Sequence, residues 1–234
     1  MKRFFKILLF VGVFAAGILP IRAQITAEDF PELKKVFLLQ PTDYTNYQNL
    51  HTLLSSQYEL LSVGQRNEIR QLLNQSNFSK IKNYPSNEPG TRIIIKGTVT
   101  DKNLRPVAGA KIIVFQTDAS GNYAPQDSKT KRMSESDARL YGVLHTDHQG
   151  RYELSAIHPG SYPIKYEERS IPQHIHFNVS VKGKTELKLQ LAFEDDPAMK
   201  DPHWQAWVKE MKFPFIKLVS KNGIPSGVCN IMLK

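Results

Sequence analysis

The sequence predicts a mainly β protein, a β-sandwich preceded by a small α-helical region. From Asp29 to about Lys80 the apolar residues recur at the spacing of a helix, whereas from Arg92 onward they alternate in many short segments. The stretch YPSNEPG, residues 84–90, separates the two patterns and contains two prolines and a glycine, which is typical of a boundary. Three segments follow in chain order: a helical region over 24–82, a linker over 83–91 and a sandwich over 92–234.

Two or three short helices are expected in the first region. Pro31 suits the first turn of a helix that starts from Asp29, because a proline there has no helical hydrogen bond to lose, and Glu32 completes the capping pattern. Thr26, with Asp29 three residues later, is an alternative start for the helix. The expected role of these helices is packing or the formation of a homodimer, with no chemistry of their own.

Turn residues separate the alternating segments of the second region, which predicts short strands and hence a sandwich. The predicted strands are 92–100, 110–116, 142–146, 151–155, 174–181 and 186–193, with 215–220 and 227–233 near the C-terminus. A short helix that carries Trp204 and Trp207 is expected over 201–211.

The first 23 residues have the pattern of a secretory signal peptide. They begin MKRFFK, continue in an apolar run from Ile7 to Leu19 and end in a small residue, Ala23. The run has 13 residues, fewer than the roughly 20 that span a bilayer, and no later stretch is long enough. We therefore expect a soluble, exported protein, located in a periplasm or outside the cell.

The net charge and the cysteine content argue against a nucleic-acid-binding protein and against a fold held by disulfides. The formal charge of +9 falls by four to +5 without the basic residues of the leader, and no lysine or arginine run is dense enough to indicate a nucleic-acid site. The single cysteine, Cys229, allows no intramolecular disulfide and is expected to be a buried small residue.

The pair His174 and His176 is a candidate metal site. Residues i and i+2 of a strand face the same side, so the two imidazoles would lie together while Ile175 faces the opposite layer. Pro172 helps to fix the start of this strand. The spacing suits a pair of metal ligands and is equally compatible with a surface or core pair.

Two tyrosines, Tyr123 and Tyr162, stand just beyond glycine turns. Phenolate oxygen suits a hard, highly charged cation, and neutral imidazole completes its shell without adding charge. Two phenolates and two imidazoles would suit Fe(III) better than zinc, which usually takes thiolate, imidazole or carboxylate. Together with the histidines, the tyrosines therefore predict a ferric site with redox or oxygen chemistry.

The turn-rich segments also have a non-catalytic interpretation. Segments 97–123 and 145–163 match what a transthyretin-like or carboxypeptidase-regulatory-like sandwich displays, a module that would bind a ligand or another protein of the cell envelope. In this interpretation Asp147 and Gly150 form a turn and Tyr152 is a core residue.

A second alternative is a different metal site, in which the turn at the end of one strand supplies the ligands. Its members would be His145, Asp147 and His148, with carboxylates such as Asp195 and Asp196.

Five segments in order resemble the intradiol ring-cleavage dioxygenases, which include the catechol and protocatechuate dioxygenases. They are FQTDASGNY (115–123), TDHQGRY (146–152), PGSYP (159–163), PQHIHF (172–177) and LQLAF (189–193). The resemblance covers roughly 97–193 and fills the four metal positions of the family in order.

The resemblance implies a prealbumin-like catalytic sandwich with non-haem Fe(III) bound by Tyr123, Tyr162, His174 and His176. It implies a catechol-type substrate and O2, with the ring opened between the two hydroxylated carbons to give a muconate-type diacid. Tyr162 would take a substrate proton as it leaves the metal, and Gln190 would hydrogen-bond near the iron.

Two positions depart from the family pattern. Ile171 stands where the family usually has an arginine, three residues before the first histidine, and Arg169 would supply the charge if the loop bulges. Phe115 replaces the usual tryptophan, a change expected to affect packing. The spacing of twelve from Tyr162 to His174 resembles the protocatechuate type, yet the missing arginine leaves the substrate open.

Overall fold

The computed structural model describes residues 25–130, 134–164, 169–182, 187–221 and 223–233. The predicted leader over 1–23 lies outside these residues. Within the described ranges, none of the helices has the length and apolar character needed to cross a membrane.

Three helices form the N-terminal region: α1 (Phe30–Leu39), α2 (Tyr44–Ser56) and α3 (Val63–Leu73). Pro31 lies in the first turn of α1, which starts from Asp29 as predicted, but the Asp29 side chain makes no capping hydrogen bond to this helix, so the cap that Glu32 was expected to complete does not form. The Asp29 carboxylate instead accepts a hydrogen bond from the Thr26 N–H at 2.7 Å, which closes a short 3-10 helix over Ala27–Asp29. Both predicted helix starts therefore occur: the 3-10 helix begins after Thr26, and α1 begins after Asp29.

Two sheets follow, in agreement with the predicted mainly β fold. The first has the order β1 (Lys80–Lys82), β5 (Arg151–Ile157), β2 (Arg92–Thr100), β12 (Ile224–Val228) and β11 (Val219–Lys221), with β13 (Ile231–Met232) also paired to β2. The second has the order β10 (Phe215–Ile216), β9 (Leu187–Phe193), β8 (His174–Ser180), β3 (Lys111–Gln116) and β4 (Leu140–His145).

Smaller elements complete the fold. A hairpin joins β6 (Tyr162–Pro163) to β7 (Ser170–Ile171), and two helices are α4 (Asp127–Thr130) and α5 (Pro202–Met211). The six internal strands and α5 lie close to their predicted bounds, whereas each of the last two predicted strands is divided into two shorter ones. Strands β1, β6 and β7 were not predicted, because segments of two or three residues are too short to display alternation.

One apolar core joins the helices to both sheets. Its fully buried members include Phe37, Leu50 and Ile69 from the helices and Val114 and Phe177 from the five-stranded sheet. The helices also cover the outer edge of that sheet, where the Val143 N–H of β4 donates to Tyr47 Oη at 3.1 Å. The helices thus pack on the sandwich, while their participation in a homodimer stays a prediction.

Candidate metal centre

The histidine pair lies on β8 in the middle of the five-stranded sheet. Alternation along the strand brings the Nε2 atoms of His174 and His176 to 3.1 Å from each other, while Ile175 is buried on the opposite face. His174 Nδ1 lies 2.7 Å from the Pro172 carbonyl oxygen. Because a carbonyl can only accept, Nδ1 carries the proton and Nε2 presents its lone pair to the site.

Burial and packing keep both imidazoles in place. Burial, followed by the neighbouring His176, lowers the pKa of His174 to about 4, so this ring is neutral near pH 7. The ring of Phe115 stacks on His176 at a centroid distance of 4.3 Å. The phenylalanine in the usual tryptophan position therefore has the packing role that was expected of it.

Tyr123 follows β3 and points its hydroxyl at the histidines. Its Oη lies 3.1 Å from His174 Nε2 and 2.9 Å from His176 Nε2. The buried carboxylate of Asp127 fixes the backbone here, since its Oδ2 accepts the N–H groups of Tyr123 and Ala124, both at 3.0 Å. Burial raises the pKa of the Tyr123 phenol well above its ordinary value, and the adjacent Tyr162 raises it further.

Tyr162 approaches from the β6–β7 hairpin. Its ring centroid lies 5.7 Å from that of Tyr123 and 5.8 Å from that of His174. Glycine makes this approach possible: Gly121 has φ +83°, and a Cβ there would lie 2.1 Å from the Ser161 carbonyl oxygen. Burial raises the pKa of Tyr162 to about 12.

Glu135 is a site residue that the sequence analysis missed. It begins a short 3-10 helix, Glu135–Asp137, and its Oε1 lies 2.6 Å from His176 Nε2. The hydrogen bond from His176 lowers the pKa of this carboxyl. An acidic residue in a polar segment without periodicity is too common to indicate a site, so the sequence offers no usable signal.

The assembled donors fit a metal ion. Oxygen and nitrogen atoms of Tyr123, His174 and His176 lie 2.9–3.1 Å from one another, and the ligand atoms of Glu135, His174 and His176 all lie within 4.8 Å. Spacings near 3 Å are those of neighbouring ligands on an ion with bonds of about 2.1 Å. Tyr123 thus makes polar contacts with both imidazoles in a buried site and is not packed as an ordinary core residue.

Gln190, Arg169 and Ile171 have different positions around this centre. Gln190 lies directly opposite His176 in the β8–β9 pairing, hence on the same face, and is partly buried. Ile171 pairs with Tyr162 in the hairpin and packs against the apolar cluster that contains Trp204. Arg169 is exposed and lies directly before the returning hairpin strand β7. The catalytic roles of Gln190 and Arg169 stay predictions.

The alternative metal site is not assembled. His145 pairs with Lys111 at one end of the five-stranded sheet, whereas Asp195 and Asp196 follow β9 at the opposite end. Asp147 accepts the N–H groups of its own turn, and Asp196 caps the 3-10 helix Pro197–Lys200. The carboxylates are thus engaged locally, and Asp195 and Asp196 lie far from His145 and His148 in the sheet register.

Comparison with known proteins decides the family. A family model described as Dioxygenase matches residues 69–223, more than half of the chain, including all four predicted ligands. The chain belongs to the intradiol ring-cleavage dioxygenase family. Iron is the metal on which this family depends, and the histidines with Glu135 form a group able to hold a metal ion.

Individual relatives are similar over part of their length. A catechol 1,2-dioxygenase of Acinetobacter lwoffii is 30% identical over 162 residues, 64% of this chain and 50% of the relative. The β chain of a protocatechuate 3,4-dioxygenase from Burkholderia cepacia is 34% identical over 121 residues, 50% of this chain and 51% of the relative. The chain therefore spans about half the length of the curated relatives it matches.

The fold agrees with solved structures. A catechol 1,2-dioxygenase from Acinetobacter superposes with a TM-score of 0.56 at 20% identity, covering 68% of this chain and 57% of that one. At this identity the likeness concerns the fold, and it bears out the mainly β architecture with a small helical region.

Proposed function

We propose that the protein is a non-haem Fe(III) intradiol dioxygenase, which opens a catechol-type ring between its two hydroxylated carbons with O2 to give a muconate-type diacid. The convergence of Tyr123 Oη with the Nε2 atoms of His174 and His176, at 2.9–3.1 Å, carries this proposal. Membership of the family supports the choice of reaction.

Four residues would hold the ion: Tyr123, Tyr162, His174 and His176. Two phenolates match the hardness of Fe(III), and two neutral imidazoles complete the set without further charge. A bound ferric ion supplies Lewis acidity, which favours ionisation of the diol and makes its ring reactive toward O2. The fixed Nδ1–H of His174 keeps its ring in the orientation that binding requires.

Tyr162 is proposed as the base that takes a proton from the substrate. Burial raises its pKa to about 12, so a Tyr162 phenolate beside the diol would take up a proton readily. It lies on a two-stranded hairpin, separate from the sheet that carries the histidines.

Gln190 and Arg169 are proposed to assist the reaction at the catechol ring of the substrate. Gln190, beside His176, has an amide that can hydrogen-bond to substrate oxygen. Arg169 would contribute positive charge from the hairpin. Ile171, which packs against an apolar cluster, brings no charge to the place of the usual arginine. The missing charge favours catechols with an uncharged ring.

Aerobic incubation of the iron-loaded protein with catechol, hydroxyquinol and protocatechuate tests the proposal. We expect one O2 consumed per ring opened and a diacid that carries both atoms of labelled O2, with catechol preferred over protocatechuate. The variant Tyr162→Phe should keep iron while losing most of the turnover, because the base is absent. Stoichiometric iron without ring-opened product from any diol would contradict the assignment.

We also propose that the mature protein is exported. The support is the pattern of residues 1–23, a basic start, an apolar run and a small residue at Ala23.

A further inference from the structure

We propose that Glu135 is an additional protein ligand of the metal, one that the diol displaces on binding. The inference rests on the proposed iron site and adds a carboxylate to its two phenolates and two imidazoles. Glu135 Oε1 lies 2.6 Å from His176 Nε2, and the ligand atoms of Glu135, His174 and His176 all lie within 4.8 Å of one another. The carboxylate therefore lies beside the imidazole nitrogen atoms that would face the ion.

The segment that carries Glu135 is anchored on its N-terminal side. Ser134 Oγ donates to Asp127 Oδ1 at 2.7 Å, and the Ser134 N–H lies 3.1 Å from the same carboxylate. Asp127 also holds the backbone of Tyr123. One buried carboxylate therefore positions a proposed tyrosinate ligand and the residue next to Glu135.

The C-terminal side is anchored by the helical region. The Asp137 carboxylate binds Arg66 Nη2 and Arg70 Nη2, each at 2.7 Å, and accepts the Tyr58 hydroxyl at 2.7 Å. Arg70 also donates to the Ala138 carbonyl at 2.9 Å. Two arginines that are largely buried thus fix the backbone two residues from Glu135, which gives the helices a part in shaping the metal site.

Charge balance explains why a carboxylate suits this position. Two phenolates and Glu135 contribute three negative charges, which neutralise a ferric ion in a site where uncompensated charge is costly. A diol that has lost both protons brings two negative charges. If it replaces Tyr162 and Glu135, three negative charges again surround the ion, with one substrate proton taken by Tyr162 and the other released to solvent.

Exposure is consistent with a ligand that leaves. The Glu135 side chain is 47% exposed, whereas the histidines and Tyr123 are buried. A displaced carboxylate can therefore be hydrated without a conformational change in the core. Its displacement would open the position that a second diol oxygen needs.

The test compares Glu135→Ala and Glu135→Gln with the wild type. Glu32→Gln is the matched control, because Glu32 is an exposed glutamate in the first turn of α1. Three properties are measured on iron-loaded protein: the visible absorption spectrum at rest, the iron retained against a chelator, and the spectrum with catechol under anaerobic conditions.

We expect the Glu135→Ala resting spectrum to shift and its iron to be lost to the chelator at least about tenfold more readily. With catechol bound, the spectra of variant and wild type should coincide, because the carboxylate has left in both. A resting spectrum and iron retention equal to those of Glu32→Gln would overturn the inference while leaving the iron site intact. A difference that persists with catechol would also overturn it, since it would indicate a structural role. A wild type without iron-dependent colour would overturn both this inference and the proposed function.

Discussion

The candidate metal centre has a strand-built half and a loop-built half, and the sequence specifies the two halves differently. The strand-built half is His174 and His176 on β8, where alternation alone brings two imidazoles to one face. The loop-built half is Tyr123, Tyr162 and Glu135, each on a separate irregular segment or short hairpin. Local periodicity encodes the first half, whereas contacts between residues far apart in the chain position the second.

The largest expected effect comes from disturbing the loop-built half at Gly121. In Gly121→Ala the new Cβ would overlap the Ser161 carbonyl, next to Tyr162, so both tyrosine segments must shift. We expect a loss of about 3 kcal/mol in the free energy of unfolding, together with weak iron binding. Denaturant unfolding and iron analysis of the purified variant measure the two effects.

Gly109→Ala is the control for that substitution. Gly109 has φ +66°, but a Cβ there meets no atom within 4 Å, so the cost is backbone strain of about 1 kcal/mol with iron binding unchanged. If the two variants lost equal amounts of unfolding free energy and of bound iron, crowding between the tyrosine segments would have no effect on stability or on the iron site.

A smaller effect concerns the helical region that supports the loop-built half. His51 in α2 is fully buried, and burial lowers its pKa from 6.5 to about 4. The folded state therefore holds His51 neutral where the unfolded chain takes up a proton, so stability is present above pH 6.5 and is lost as the pH falls toward 4.

Between pH 7 and pH 5 this linkage should remove about 2 kcal/mol from the free energy of unfolding. His51→Leu should lack this part of the pH dependence, while other titrating groups contribute equally to both proteins. Urea unfolding of wild type and variant at the two pH values measures the difference. Parallel pH dependence in the two proteins would mean that His51 is accessible to protons in the folded state.

The sequence predicted the strand-built half well, because the His-x-His spacing and the strand period are both local. It also indicated Tyr123 and Tyr162, since each stands near a glycine turn whose purpose is now visible in the contact between Gly121 and Ser161. The division of the chain at 83–91 stays a prediction, and the core shared by helices and sheets shows how closely the two regions are joined.

Glu135 could not be predicted in the same way. Its position depends on Asp137 meeting Arg66, 71 residues earlier, and on Ser134 meeting Asp127. Neither contact is accompanied by a periodic pattern in the sequence. The short strands β6 and β7 were missed for a related reason, since a two-residue pairing is stabilised by its neighbours and not by its own sequence.

The most direct measurement of the central claim is the visible absorption spectrum of the iron-loaded protein, with the iron content of the same sample. Phenolate bound to Fe(III) absorbs strongly in the visible range, so we predict a coloured protein with one iron per chain. The band should be weakened in Tyr123→Phe and in Tyr162→Phe. A colourless wild type, or a band that both substitutions leave unchanged, would contradict the convergence of these side chains on one iron.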